Sequence, residues 1–232
     1  RRRLAFEELL AHQLSLRQLR ERVRQQAAPP LLGDGGLSQR FLERLPFALT
    51  GAQQRVLAEI AADLTQPRPM QRLLQGDVGS GKTVVAAAAA LRAVESGGQA
   101  VLMAPTELLA EQHYRNFQDW LGGLGVEIAW LTGRLLGRAR KALLERLASG
   151  AVQVAVGTHA LFQESVVFAD LALAIVDEQH RFGVHQRLAL RDKGRQGQRC
   201  PHQLIMTATP IPRTLAMSAY ADLDTWVLDE LP

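Results

Sequence analysis

The chain has 232 residues, of which 47% are hydrophobic, enough for one sizeable α/β domain and a short additional segment. Its formal net charge of +4 arises entirely within residues 1–45, because basic and acidic residues balance over 46–232. No apolar stretch approaches roughly 18 residues, no secretory signal is visible, and the single cysteine, Cys200, has no internal partner. We therefore expect a cytoplasmic protein without a membrane span.

The N-terminal segment has the pattern of a basic helical connector. Leucines at roughly helical spacing predict a helix over 4–28, which the following prolines end. A glycine-rich break precedes a short helix predicted over 38–45, with Ser38 as its cap. We expect a connector over 1–45, whose arginines either contact nucleic-acid phosphates or are simply solvated, and a main domain over 46–232. Because the chain does not begin with Met and carries no terminating signal, we expect both to belong to a longer protein.

Helices and strands alternate through the main domain. This alternation predicts a mostly parallel sheet covered by helices on both faces, with ligands at the carboxyl ends of the strands. Predicted helices cover residues 51–64, 84–96, 107–121, 137–148, 184–191 and 211–219. Predicted strands cover residues 73–74, 100–104, 126–131, 152–156, 171–176, 203–208 and 225–228.

A phosphate-binding loop stands between the first predicted strand and the helix after it. The pattern is glycine, four free residues and Gly-Lys-Thr, carried by Gly76, Asp77, Val78, Gly79, Ser80, Gly81, Lys82 and Thr83. Backbone N–H groups at such a turn, with the positive end of the helix dipole, form a cradle for phosphate. Lys82 is expected to reach the β- and γ-phosphates, and the Thr83 hydroxyl to bind Mg²⁺. The loop predicts binding of a nucleoside triphosphate, with ATP and Mg²⁺ as cofactors.

Two acidic residues follow the continuous apolar run at 171–176. Such a run is typical of a central buried strand, which would place Asp177 and Glu178 at the carboxyl edge of the sheet. Asp177 is then a candidate to hold Mg²⁺ through the water shell of the ion, and Glu178 a candidate to orient or deprotonate the attacking water. Acids after a strand also cap helices, which is the simpler alternative.

Together these segments resemble the motifs of superfamily 2 helicases, the DEAD/DExH class. Residues 177–180 (Asp-Glu-Gln-His) resemble motif II, and the loop at 76–83 is motif I. Four further segments stand in the order that this class has: 45–53 like the Q motif, 104–107 like motif Ia, 157–161 like motif Ib and 207–210 like motif III. The resemblance implies a RecA-like phosphate-loop domain that hydrolyses ATP on nucleic acid.

The resemblance also implies roles for individual residues. Gln53 would read the adenine base, and His180, Thr207 and Thr209 would couple hydrolysis to movement. The alternatives are that His180 is a satisfied polar residue and that the two threonines only close a strand end and cap a helix. DNA would contact Pro105, Thr106, Thr158 and His159, mainly through its phosphates. Arg134 lies in a basic loop that would either contact the same DNA strand or be an ordinary solvated loop.

The amino-acid sequences of three segments are similar to those of the RecG family of bacterial helicases, which remodel branched DNA at stalled forks and Holliday junctions. These segments are 76–86, 177–184 and 206–216. Ser80 and Gln179 favour this family over the related Mfd family, which moves on duplex DNA without separating strands. A module that binds ATP and DNA without turnover is a third possibility.

No segment resembles the second helicase half or the wedge domain that would grip a fork. We therefore expect the chain to be the first motor domain with its connector. Its partners would be branched DNA and the missing second motor and wedge domains of the same protein. Because the second domain supplies an arginine finger in this class, the chain alone should hydrolyse ATP poorly.

Overall fold

A computed structural model of the chain describes residues 26–177, 199–208 and 224–230, together with Leu10 and Leu14. Five named α-helices, two short 3₁₀ helices (Gly122–Leu124 and His159–Phe162) and seven strands lie in this part of the chain. The helices are α1 (Gly36–Arg44), α2 (Gly51–Leu64), α3 (Lys82–Glu95), α4 (Glu107–Leu121) and α5 (Gly137–Ala148). The strands are β1 (Gln71–Gly76), β2 (Gln99–Met103), β3 (Ile128–Leu131), β4 (Val154–Gly157), β5 (Leu171–Asp177), β6 (His202–Thr207) and β7 (Asp224–Leu228).

The seven strands form one sheet in the order β3-β4-β2-β5-β6-β1-β7, and every pair between named neighbours is parallel. Successive residues point to opposite faces, so Leu73 and Leu74 enter different clusters of buried side chains. One cluster packs under α1 to α4, and the other involves α5 and residues 160–168. The predicted α/β fold, with a parallel sheet and helices on both faces, is confirmed.

The predicted elements that fall within the described residues agree with the structure to within two residues at each end. The local reasons are visible at the helix starts. Thr50 and Gln53 form a reciprocal capping box at α2, and the Thr106 hydroxyl accepts the Leu109 N–H at α4. The helices predicted over 184–191 and 211–219 lie outside the described residues.

Two predictions near the N-terminus are wrong. Residues 26–28 are not helical, because Ala27 pairs with Arg199 in a parallel bridge and the residue before Pro29 is restricted to extended conformations. Ser38 does not cap α1, which begins earlier, at Gly36. Instead the carboxylate of Glu95, from the end of α3, accepts hydrogen bonds from the backbone N–H and hydroxyl of Ser38 at 2.8 and 3.1 Å. The rest of the helix predicted over 4–28 lies outside the described residues, apart from Leu10 and Leu14, which are helical and exposed.

The described part of the connector packs on the main domain. Leu31 and Phe41 are buried in the same cluster as α2, α3 and the sheet, and the Phe41 ring lies 6.3 Å from that of Trp120. The Leu31 N–H donates to the Leu64 carbonyl at 2.8 Å. Residues 26–45 therefore share the core of the domain that follows them.

A buried histidine ties this connector to the start of β1. The His202 side chain is fully buried; its Nε2 donates to the Pro29 carbonyl at 2.8 Å, and its Nδ1 accepts the Met70 N–H at 3.0 Å. An acceptor at one ring nitrogen and a donor at the other require the neutral ring. Burial accordingly lowers the pKa of His202, and the Pro29 carbonyl and nearby Asp63 oppose this shift only partly.

We expect the folded chain to lose stability as pH falls below about 6.5, the ordinary pKa of histidine, toward the lower folded-state pKa of His202. The sign follows because the unfolded chain binds the proton first. Denaturant unfolding at pH 7.5 and 5.5 measures this loss, and His202→Gln, which cannot titrate, should show a smaller one. Equal losses in both proteins would contradict the assignment. At pH 7.5 the variant should itself cost about 1–3 kcal/mol if the Met70 N–H loses its partner.

Within the part of the chain that the structure describes, no helix is both long and apolar enough to cross a membrane.

Candidate nucleotide site and nucleic-acid face

The described site residues gather at the carboxyl edge of the sheet, as predicted, except Gln53, which stands at the start of α2. The order of the strands divides them into two neighbouring groups. The candidate nucleic-acid residues follow the adjacent strands β2, β4 and β3: Pro105 and Thr106, Thr158 and His159, and Arg134. The candidate nucleotide and coupling residues stand at the ends of β1, β5 and β6: the loop from Gly76 to Thr83, which runs from β1 into α3, then Asp177, and Thr207. One edge of one sheet thus carries both sets side by side.

The phosphate loop turns directly from β1 into α3. Gly79 and Gly81 have φ of 87° and 84°, conformations that glycine adopts without strain. Gly81 is the N-cap of α3 and has no side chain to cap it, so the first N–H groups of the helix point out of its end. The Lys82 ammonium folds back over the loop and donates to the carbonyls of Gly76 and Asp77 at 2.5 and 2.8 Å. This geometry is that of an anion cradle with its lysine beside it.

Gln53 is engaged at both ends of its amide rather than exposed. Its Oε1 accepts the Thr50 N–H at 2.9 Å, and its Nε2 donates to the Ser80 carbonyl of the phosphate loop, also at 2.9 Å. The residue is 1% exposed, and a Cβ atom on Gly81 would collide with its amide. In this structure Gln53 connects the start of α2 to the phosphate loop, and reading of adenine would need the amide to exchange these partners.

The start of α2 is also held from the far end of the chain. Glu230, just beyond β7, accepts the Ala52 N–H at 2.9 Å and pairs with Arg55 at 3.3 Å. The Ala52 N–H, followed by Arg55, lowers the pKa of the Glu230 carboxyl, as expected for an anion at a helix N-terminus. The start of the helix that carries Gln53 is thereby anchored to the segments that follow two adjacent strands, β1 and β7.

Asp177 is the last residue of β5 and is buried. Its Oδ2 lies 2.6 Å from the Nε2 of His113, a buried residue of α4. Since a carboxylate has no proton to give, His113 Nε2 is the donor. Thr207 ends the neighbouring strand β6, where Asp177 lies opposite Met206 in the ladder, so motifs II and III meet at adjacent strand ends.

The residues fit Mg²⁺ by the chemistry of their donors. Asp177 offers a carboxylate and Thr83 a hydroxyl, both hard oxygen ligands. Among the described residues no group of three or more His, Cys, Asp or Glu side chains could hold a metal ion.

Glu107 joins two segments of the neighbouring candidate nucleic-acid face. Its carboxylate accepts the Thr132 hydroxyl at 2.6 Å and the Gly133 N–H at 3.2 Å, and Arg134 Nε lies 3.9 Å away. The Thr132 hydroxyl, then the Gly133 N–H and the charges of Arg134 and His159, hold the pKa of Glu107 below its usual value. The start of α4 and the loop after β3 are thus joined, and the Arg134 side chain remains 89% exposed.

The other predicted contacts differ in exposure. Thr106 and His159 are exposed and Pro105 is partly buried. Thr158, by contrast, is buried, and its hydroxyl has no hydrogen-bond partner in the part of the chain that is described. A direct contact of its side chain with DNA would therefore need this segment to move, whereas His159 needs no such change.

Three predicted site residues, Glu178, His180 and Thr209, lie outside the described residues. Three others were not predicted: His113, the anchoring role of Glu107, and Glu230. His113 did leave a signal, because it stands on the buried face of α4 with Ala110, Phe117 and Leu121, where an apolar residue is expected. The contacts of Glu107 and Glu230 join residues far apart in the chain, and no local pattern reports them.

Comparison with known proteins identifies relatives over the whole chain. The family model described as DEAD/DEAH box helicase matches residues 50–218. The chain is 63% identical over 230 residues to the ATP-dependent DNA helicase RecG of Pasteurella multocida (strain Pm70), which covers 99% of the chain and 33% of that relative. It is 63% identical over 231 residues to RecG of Escherichia coli (strain K12), covering all of the chain and 33% of the relative. The chain therefore spans about a third of the length of these relatives.

Solved structures give the same relationship to RecG. A structure of RecG bound to a three-way DNA junction superposes with a TM-score of 0.85 at 41% identity, covering all of this chain and 30% of that one. The Hef helicase domain of Pyrococcus furiosus matches 77% of the chain and 38% of its own, with a TM-score of 0.58 at 20% identity, a likeness of fold alone. The resemblance to RecG that the motifs predicted is confirmed.

Proposed function

Because this chain belongs to the DEAD/DEAH box helicase family, we propose that it is the ATP-binding first motor domain of a RecG-type DNA helicase. The longer protein would use ATP to remodel branched DNA at stalled forks and Holliday junctions. The observation that carries the proposal is the shared sheet edge, where a phosphate loop with its lysine lies beside an exposed face built by motifs Ia and Ib and the Arg134 loop. The connector would belong to the same body, since residues 26–45 share its core.

In the nucleotide half, the N–H groups at the start of α3 and the Lys82 ammonium would bind the β- and γ-phosphates. Lys82 would exchange the carbonyls of Gly76 and Asp77 for phosphate oxygens. Thr83 and Asp177 would hold Mg²⁺, which when bound supplies positive charge to those oxygens. Glu178 would orient the attacking water, a role supported by the family motif.

A structural change on nucleotide binding would pass from the loop to the rest of the domain through groups that already contact it. The Ser80 carbonyl accepts a hydrogen bond from the Gln53 amide. Asp177 ends β5, which is paired with β6, the strand that ends in Thr207. Coupling by His180, Thr207 and Thr209 is proposed from the resemblance to motifs II and III. Such a domain converts hydrolysis into motion against a second motor domain.

In the DNA half, contacts would run along the phosphate backbone and be largely independent of sequence. The exposed Arg134 guanidinium would pair with a phosphate, and the N-terminus of α4 at Thr106 would present its N–H groups. His159 would lie beside them, because it is exposed and follows β4, the strand between β3 and β2.

Arg134→Ala tests this face in the longer protein. We expect weaker binding of forked DNA at every sequence, and a slope of log affinity against log salt that is reduced by about 1, the signature of one lost phosphate contact. Arg68→Ala is the matched control. Arg68 is also an exposed arginine, but it precedes β1 and so lies at the amino-terminal edge of the sheet, opposite the candidate face. An unchanged slope in Arg134→Ala, or the same change in both variants, would contradict the proposed face.

A comparison of ATP turnover on two DNAs separates the branched-DNA function from simple duplex translocation. Forked DNA should stimulate ATP turnover by the longer protein more than linear duplex of equal length. Equal stimulation by the two would favour the translocase.

A further inference from the structure

The contact between His113 and Asp177 joins the two halves of the site. Asp177 ends β5 in the nucleotide half, whereas His113 belongs to α4, whose first residues follow β2 in the DNA half. His113 lies seven residues after the cap Thr106, about 10 Å along the helix. A 2.6 Å hydrogen bond therefore connects the helix that begins at the DNA face to the candidate metal ligand.

Packing alone does not explain a histidine at this position. The other buried residues of α4 are Ala110, Phe117 and Leu121, and His113 continues their stripe. Its Nδ1 is buried and has no hydrogen-bond partner among the described residues. An unpartnered buried polar atom costs about 1–3 kcal/mol, which an aliphatic side chain would avoid. What the imidazole provides in return is the Nε2–H donated to Asp177.

That donation constrains the carboxylate. Asp177 is 7% exposed, and one of its two oxygens is committed to His113. A carboxylate held by a buried donor keeps one orientation, and partners of this kind usually change metal affinity 10–100-fold when they are removed.

We propose that His113 is a positioning residue, which holds Asp177 in the orientation that binds the metal of the nucleotide complex and ties that orientation to helix α4. The proposal rests on the proposed function, because it takes Asp177 as a ligand of the nucleotide-bound metal. It adds a residue of the motif Ia helix to the nucleotide site.

Two substitutions separate the hydrogen bond from the volume of the ring. His113→Gln keeps an N–H donor near the position of Nε2, and His113→Leu keeps bulk but no donor. Gln112→Ala, at the exposed neighbouring position, is the matched control. In the longer protein, Mn²⁺ affinity in the presence of a non-hydrolysable ATP analogue is measured by electron paramagnetic resonance. Unfolding of the metal-free proteins is followed alongside.

We expect His113→Leu to weaken Mn²⁺ binding about 10-fold or more, His113→Gln to recover much of that loss, and Gln112→Ala to bind as the wild type does. The two His113 variants should unfold within a few degrees of each other without metal, so that folding does not account for the difference. Wild-type Mn²⁺ affinity in His113→Leu, or equal loss in both His113 variants, would overturn the positioning role. Failure of the wild type to bind the Mn²⁺–nucleotide complex would refute the proposed function itself, and this proposal with it.

Discussion

ATP turnover by this chain alone is expected to be about 10³–10⁵-fold slower than turnover by a longer protein that also carries a second motor domain. The described part of the chain contributes the loop, Lys82 and Asp177. The resemblance to helicases implies that the transition-state arginine comes from a second motor domain, and no segment of this sequence resembles that motif. A site that lacks this charge binds nucleotide but stabilises the transition state poorly.

Steady-state phosphate release, measured for both proteins with saturating Mg-ATP and forked DNA, gives this ratio. Nucleotide affinity should differ far less than turnover, because the phosphate loop is the same in both. If the two proteins turned over ATP within about tenfold of each other, the missing-arginine explanation would be wrong.

Replacement of Glu178 by Gln in the longer protein is expected to lower turnover by about 10²–10⁴-fold, the usual contribution of a general base. Nucleotide binding should persist, since the cradle and Lys82 are untouched. The amide keeps the size of the side chain but removes the carboxylate that would orient or deprotonate water. Turnover and binding of a fluorescent ATP analogue are measured on the same preparation.

This substitution also separates a motor from a module that only binds. A nucleotide-dependent switch without turnover would keep its DNA affinity and its response to ATP in Glu178→Gln. A hydrolytic motor would instead be arrested on DNA in its ATP-bound form. Glu164→Gln, at an exposed glutamate outside the candidate site, is the matched control.

Much of the fold was predictable because local patterns dominate it. The continuous apolar run of β5 marks a strand buried on both faces, and Thr50 and Thr106 mark the starts of two helices. The two wrong predictions share one cause. At Ala27 the pairing with Arg199 overrides helical spacing, and at Ser38 a carboxylate from Glu95 takes over capping. Both depend on contacts with residues distant in the chain.

The candidate site also has features that local motifs predict and features that they do not. The spacing of the phosphate loop and the position of Asp177 after an apolar run were readable from the sequence, because each is a local motif at a strand end. The engagement of the Gln53 amide with Ser80, the burial of Thr158 and the donation from His113 were not. These depend on how segments that are distant in the chain pack together, which the alternation of helices and strands does not determine.

The central claim is that this chain is the nucleotide-binding half of a motor, and Mg-ATP binding and turnover by the chain itself test it most directly. The account predicts saturable, Mg²⁺-dependent binding that is lost in Lys82→Ala, with negligible turnover even when forked DNA is present. Strong DNA-stimulated turnover by the chain alone, abolished in Lys82→Ala and Glu178→Gln, would show a site that is complete without a second domain. That result would contradict the account.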